Sequence, residues 1–228
     1  MPKDKRNGQR RARSIGSRSN IPDLGYYLIV TDTKETEQNY MFGLRDSIPD
    51  ELRRRLIIKV SRTKTDSLVD EALSQAALQP QYGEPWIIFD RDQVKDFDSI
   101  IQNTKMAGIN AGWSNPCIEI WFNAYFGAMP TYQTSVACCN GFEETFEKAA
   151  KQKYKKSDKQ IYSKLCLYGD EVEAIKTAEN KLKQCIINSV DKPSKMCPAT
   201  TVYRLVKEIK SKIEKEWSLQ WLKLKKWQ

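Results

Sequence analysis

Between Tyr26 and Ala111, short continuous apolar runs alternate with segments of helical periodicity, and this alternation constrains the fold more than any other feature. Tyr26–Thr31 (YYLIVT), Leu56–Val60 (LIIKV) and Pro85–Phe89 (PWIIF) read as strands, with Gly108–Gly112 as a short fourth. Between them, Glu35–Arg45, Asp66–Leu78 and Val94–Lys105 read as helices; Leu68, Val69, Ala72, Leu73 and Ala76 in the second fall on one side. Strand and helix alternating at this spacing predict a largely parallel sheet with helices packed on it. The strands are apolar without interruption, as expected when both sheet faces are buried.

After Trp113 the pattern becomes helical. Pro116–Phe126 (PCIEIWFNAYF) predicts a buried helix, followed by helices over Phe142–Lys153, Asp158–Leu165 and Glu171–Ser189 and a long one from about Ala199 to Trp227. The last carries Val202, Leu205, Val206, Ile209, Ile213 and Trp217 on one stripe and lysines opposite, which predicts a core-facing amphipathic helix. Its tryptophan-rich end at Trp217, Trp221 and Trp227 reads as core or as an anchor for a partner. No apolar stretch approaches the ~20 residues needed to cross a bilayer, and no apolar segment follows the basic N-terminus as in a secretory signal. A cytoplasmic protein without membrane attachment is the expectation.

Composition excludes several chemistries. The chain has no histidine, which removes Ser-His-Asp and Cys-His triads, histidine zinc sites and histidine general bases. The six cysteines form no CxxC pair and read as reduced, mostly buried thiols. The tools left to an enzyme are carboxylates, lysines, tyrosines and a metal held by oxygen. The formal net charge is +9, and seven basic residues against Asp4 in residues 1–20 supply +6 of it. That arm, which includes Arg10, Arg11 and Arg13, predicts a disordered segment that either binds phosphates or solubilises the chain.

The acids fall where a ligand would meet such a sheet. In open α/β sheets, ligands sit beyond the carboxyl ends of the strands. The first predicted strand runs into LIVTDTKETEQNY, with Asp32, Glu35 and Glu37 close together; the third runs into Asp90-Arg91-Asp92. If the chain stays extended, Asp90 and Asp92 point to one side. Two carboxylates about 4 Å apart repel by roughly 4 kcal/mol at an effective dielectric near 20, a cost that a divalent cation converts into attraction. The alternative is helix capping: Asp32-x-x-Glu35 has the form of a capping box, and Asp90 or Asp92 could cap the third helix. In the third notable stretch, SNPCIEIW, Ser114 could cap and Pro116 open the next helix. Glu119 lies inside an apolar segment and needs either an ion-pair partner or a role at the active centre. Lysines from Lys151 onward (Lys151, Lys153, Lys155 and Lys156) are candidates for phosphate contact.

Four stretches, LIVTDTKETEQNY, WIIFDRD, AGWSNPCIEIWF and PATTVYRLVKEI, resemble in order and spacing the RloB/AbiLii family, Toprim-fold nuclease-like proteins of bacterial phage-defence loci. The resemblance runs from about Tyr26 to Ile213. It implies an α/β fold: a Toprim-like small parallel sheet flanked by helices over 23–130, followed by a mainly α-helical C-terminal part over 131–228; it says nothing about the basic arm over 1–22. It implies phosphodiester cleavage of RNA such as tRNA, or of DNA, with Mg²⁺ or Mn²⁺ as cofactor, and a neighbouring ATPase of the RloA/AbiLi kind as partner. Asp90 and Asp92 match the family's Asp-x-Asp, Thr36 and Glu37 its Thr-Glu pair, and Ser114, Asn115, Pro116, Glu119 and Trp121 its SNPxxExW stretch. Two departures from it stand out. The family usually has Glu-Gly where this chain has Asp32-Thr33, and a histidine where this chain has Tyr125.

The expected mechanism follows from that match. Asp90 and Asp92 hold the metal, Glu37 completes the shell, Asp32 serves as acid/base or further ligand, and Glu119 orients the site, with Thr36, Ser114 and Asn115 in support. Lysines and the N-terminal arm bind the phosphate backbone. The second reading is a catalytically silent module that binds nucleic acid or the ATPase. Oligomeric state stays open.

Overall fold

A computed structural model describes residues 22–32, 35–79, 83–92 and 94–225, with side chains as far as residue 219. Arg10, Arg11 and Arg13 lie outside the described residues. The apolar runs become strands: β1 (Gly25–Thr31), β2 (Leu56–Arg62), β3 (Glu84–Asp90) and β4 (Asn110–Asn115), joined by a two-residue β5 (Ala199–Thr200). Among the helices, α1 (Glu35–Asp46), α2 (Leu68–Leu78) and α3 (Phe97–Ala107) connect the parallel strands. Beyond β4 come α4 (Glu119–Ala124), α5 (Ser135–Ala150), α6 (Ile161–Tyr168), α7 (Glu171–Ile187) and α8 (Val202–Lys225).

The sheet order is β2-β1-β3-β4-β5. The first four strands are parallel, and β5 runs antiparallel to β4. The α/β architecture expected from the sequence is therefore present: a small, mostly parallel sheet flanked by helices, with a helical C-terminal part. Because β2 lies on one side of β1 and β3 on the other, the chain reverses direction across the sheet between β1 and β3. Such a switch point leaves a crevice beyond the strand carboxyl ends.

Both sheet faces are covered, which explains the unbroken apolar runs. On one face Phe89 and Trp113 meet the ring of Phe97 on α3 at 5.2 and 5.8 Å. On the other, a side chain added at Gly112 would strike Ile88 and approach the Val202 backbone at 3.6 Å, so glycine lets the start of α8 close on β4. Asp90 lies two residues beyond Ile88 on the same strand, so its side chain belongs to this second face. The apolar stripe of α8 is buried from Val202 to Ile213, and then Trp217 emerges at 46 % exposure. Among the described residues no helix is long and apolar enough to cross a membrane.

Several boundaries differ from expectation: α5 starts at Ser135 rather than Phe142, α6 at Ile161 rather than Asp158, and three others lie beside the acids. The third helix begins at Phe97, not Val94, because the chain after Asp90 makes a turn: Arg91 donates its guanidinium to the carbonyls of Asp92 and Val94 at 3.2 and 2.9 Å. Its N-cap is Asp96, so neither Asp90 nor Asp92 caps it. The fourth strand continues to Asn115, since Ser114 pairs with both Asp90 on β3 and Thr200 on β5. Ser114 and Pro116 consequently do not open the next helix, which starts at Glu119 with Ile118 at its N-cap.

A buried polar network joins the helical part to α1. The hydroxyls of Tyr40 and Tyr125 lie 2.8 Å apart, and those of Tyr125 and Tyr162 donate to Glu171 Oε1 at 3.1 and 2.9 Å, with Lys210 Nζ 3.2 Å from Oε2. Burial pushes the Tyr40 and Tyr125 hydroxyls well above their ordinary pKa, so both stay protonated and able to donate. Close by, α1 and α6 approach through Gly43, where an added methyl would run into the Tyr162 side chain. Gly43→Ala is therefore expected to lower the urea midpoint. The overpacking cost, roughly 1–3 kcal/mol, outweighs the roughly 1 kcal/mol of helix propensity that alanine contributes.

Candidate functional site

The crevice at the carboxyl ends of β1 and β3 collects the predicted acids, but divides them. Glu37 sits in the first turn of α1 and is fully buried; Asp90 ends β3 at 3 % exposure; Glu119 opens α4 at 1 %. Together with Glu35, Thr36, Asp92, Cys117, Ser135 and Lys156 they border one cleft of about 450 Å³. Asp32 borders a neighbouring cleft with Thr65, Asp66, Lys95 and Asp96, and Asp92 lies between the two. Asp32, expected in one metal set with Asp90 and Asp92, shares its cleft with Asp92. The Asp32 N–H continues the β1–β3 ladder by donating to Ile88 at 3.1 Å, and its carboxylate accepts from the Thr65 hydroxyl at 2.7 Å.

Asp92 reaches the cleft by a turn rather than by strand alternation. The strand ends at Asp90, and Asp92 has φ +24°, in the left-handed region that non-glycine residues rarely occupy. Its N–H donates to the Pro116 carbonyl at 2.9 Å, and the Arg91 N–H to Ser114 at 2.7 Å, so the end of β4 holds this turn. The Ser135 hydroxyl, at the start of α5, donates to Asp92 Oδ1 at 2.5 Å.

The segment joining α5 to α6 supplies the other wall. Tyr154 points inward, its ring 4.7 Å from that of Phe142, and its hydroxyl donates to Glu119 Oε1 at 3.0 Å. Burial and then the Glu119 charge hold this phenol far above its ordinary pKa, which keeps the proton on the tyrosine. The neighbours of this inward anchor, Lys153, Lys155 and Lys156, are exposed, as is Lys151. Lys156 Nζ lies 3.7 Å from the same Glu119 oxygen, and the Lys156 carbonyl accepts from the Thr36 hydroxyl at 3.2 Å. Burial works against the Lys156 charge, but Glu119 and the nearby Cys139 outweigh it and raise its pKa. Glu119 thus has both partners that a buried carboxylate requires, and they come from a segment 35 and 37 residues downstream.

Two of the expected supporting residues serve the fold here. Ser114 Oγ is 3.0 Å from Thr200 Oγ1 across β4 and β5, and Asn115 Nδ2 donates to the carbonyls of Pro193 and Ser194 at 3.2 Å each. Thr36 does border the cleft. Tyr125, where the resemblance implies a histidine, belongs to the network with Tyr40 and Glu171 and does not border the cleft. Ser135, Tyr154 and Thr65 were not legible as site residues; each lies far along the chain from the acid it meets. Only the Tyr-Lys-Lys run at 154–156, an aromatic within a basic stretch, hinted at an anchored loop.

Glu37, Asp90 and Asp92 themselves offer only carboxylate oxygens, the chemistry that suits Mg²⁺ or Mn²⁺. Among the described residues, no three of the cleft carboxylates bring ligand atoms within 4.8 Å of one another. The donor set fits such an ion in type.

The RloB-like protein family model matches residues 27–209. No curated protein and no solved structure matches. The match runs from within β1 to within α8 and spans every residue bordering the acidic cleft, and on that basis this chain belongs to the RloB-like protein family.

Proposed function

We propose that this protein is a divalent-metal-dependent nuclease that hydrolyses phosphodiester bonds of nucleic acid, RNA such as tRNA or DNA, as a toxic effector in anti-phage defence. One observation carries the reading: three buried or half-buried carboxylates, Glu37, Asp90 and Asp92, border a cleft with Lys156 at its rim, the last of the exposed lysines of segment 151–156. An acidic floor beneath a basic rim suits a cation below and a phosphate backbone above.

Glu37, Asp90 and Asp92 would hold Mg²⁺ or Mn²⁺, which when bound supplies charge neutralisation at the phosphate and acidifies a water. The protein's own groups do the rest. Ser135 fixes the Asp92 carboxylate by its 2.5 Å hydrogen bond. Tyr154 fixes Glu119 and, through it, the position of the Lys156 ammonium at the cleft wall. Lys156 meets a phosphate oxygen, while Lys151, Lys153 and Lys155 follow the backbone outward. The ATPase of the RloA/AbiLi kind implied by the resemblance belongs to the same proposal, as the subunit that restrains or triggers cleavage.

A second reading, a nucleic-acid-binding subunit without cleavage, draws on one observation: the Asp32 carboxylate is engaged by Thr65 and borders the neighbouring cleft. If a nuclease of this design needs an acid from the end of β1, this chain lacks it in that place.

Cleavage of tRNA, single-stranded RNA and plasmid DNA in Mg²⁺ or Mn²⁺, with and without the ATPase, separates the two. Wild type is expected to cut at least one substrate, and Asp90→Asn/Asp92→Asn to lose at least about 100-fold in rate, the scale on which misplaced site geometry acts. Cutting that survives the double substitution overturns the metal assignment. Salt-sensitive binding without cutting under any condition favours the second reading. Binding itself tests the rim: Lys153→Ala/Lys155→Ala is expected to reduce the slope of log affinity against log salt by about 1.4–1.8, at 0.7–0.9 per phosphate contact.

A further inference from the structure

The back wall of the acidic cleft contains a second, chemically different cluster. Cys117, Glu119 and Cys139 bring their ligand atoms within 4.8 Å of one another. Cys117 is 3 % exposed and leads from β4 into α4; Cys139 lies in the first half of α5 and is half-buried. Their sulfurs are 4.0 Å apart. Two thiolates bound at 2.3 Å to one tetrahedral centre stand roughly 3.8 Å apart, so this pair is already near a shared-metal spacing. A disulfide would need the sulfurs at about 2.05 Å, well inside their present 4.0 Å.

A cation already lies against these groups. The Lys156 ammonium lies 3.7 Å from Glu119 Oε1, and that buried carboxylate raises its pKa. The place therefore attracts positive charge, and Lys156 is exposed enough to withdraw from it. Soft sulfur ligands discriminate sharply from the hard oxygen ligands a few residues away: thiolates favour zinc, carboxylates magnesium or manganese.

We propose that Cys117, Cys139 and Glu119 form a binding site for a thiophilic divalent cation of the zinc class, with the fourth position open to water from the cleft. Binding replaces the two S–H bonds by two metal–sulfur bonds and releases the two protons to solvent. The ion takes the Glu119 carboxylate from Lys156 and displaces the ammonium. The two metal classes share no ligand: the soft ion takes the lysine's anchor, Glu119, beside the carboxylates for the hard one. The assignment rests on the sulfur and carboxylate geometry and is independent of whether the protein cleaves nucleic acid.

Titration of the full chain with Co²⁺, a coloured substitute for zinc, tests it through the thiolate-to-metal charge-transfer absorption. Wild type, fully reduced, is expected to show the band at one equivalent, and Zn²⁺ to bleach it. Cys117→Ser and Cys139→Ser are each expected to weaken binding by at least about 100-fold, the upper end of what even an outer-shell partner costs. Cys139→Ser, at a half-buried position, keeps the test decisive if the buried Cys117 variant fails to fold. Cys166→Ser and Cys185→Ser should leave the band intact, and Lys156→Ala should tighten binding by removing the competing cation. A band that survives both cluster substitutions, or its absence with all six thiols free, overturns the site. Loss of two thiols to a Cys117–Cys139 disulfide without a band does the same. Asp90→Asn/Asp92→Asn should retain the cobalt band, so failure of the nuclease reading and failure of this one are distinguishable.

Discussion

The parallel pairing of β1 with β3 positions everything that follows. It sets Thr31 beside Ile88 and so brings Asp32, one residue beyond Thr31, and Asp90, two beyond Ile88, to the same edge of the sheet. The reversal of strand order at this pair opens the crevice, and the helices that follow β1 and β4 bring Glu37 and Glu119 to its wall. Pairing of β4 with β3 then supports the turn carrying Asp92, through the bonds to the Ser114 and Pro116 carbonyls. A shift of one residue in this register would send Asp90 to the face occupied by Phe97.

Such a concentration of buried acids is costly. Carboxylates taken from water need hydrogen bonds and opposite charge. Glu119 obtains both, from Tyr154 and Lys156, and Asp92 receives the Ser135 hydroxyl. These partners come from beyond β4: Ser135 from the start of α5, and Tyr154 and Lys156 from the segment joining α5 to α6. The C-terminal helical part is thus more than a cover: it supplies the groups that make the acidic wall tolerable, and its tyrosine network with Glu171 ties it to α1, the helix that presents Glu37. The rim lysines project from the same segment because Tyr154 anchors it.

The fold was legible where hydrophobic patterning is continuous. YYLIVT, LIIKV and WIIF were readable as strands because burial on both faces leaves no polar residue to obscure them. The extension of β4 through Trp113, Ser114 and Asn115 was not, since Ser-Asn-Pro carries the composition of a turn and its pairing with β5 is long-range. In the site, Asp90 and Asp92 were found together, although the alternation argument behind that pairing fails at the left-handed Asp92. Asp32 and Glu37, five positions apart, were read as one acidic group, yet they serve two clefts, because the chain leaves β1 and enters a helix between them. Cys139 meets Cys117 across 22 residues with no motif spacing, so only the packing of α5 beside α4 reveals that pair.

The central claim is that the cleft between β3, α1 and α4 holds a hard divalent cation on its carboxylates. Direct binding of Mn²⁺, followed by the loss of its free-ion paramagnetic resonance signal in protein whose thiols are blocked, tests this without requiring a substrate. The account predicts saturable Mn²⁺ binding that Mg²⁺ displaces and that Asp90→Asn abolishes in a protein with unchanged circular dichroism. Equal Mn²⁺ binding by wild type and Asp90→Asn, or no binding by either, would contradict it.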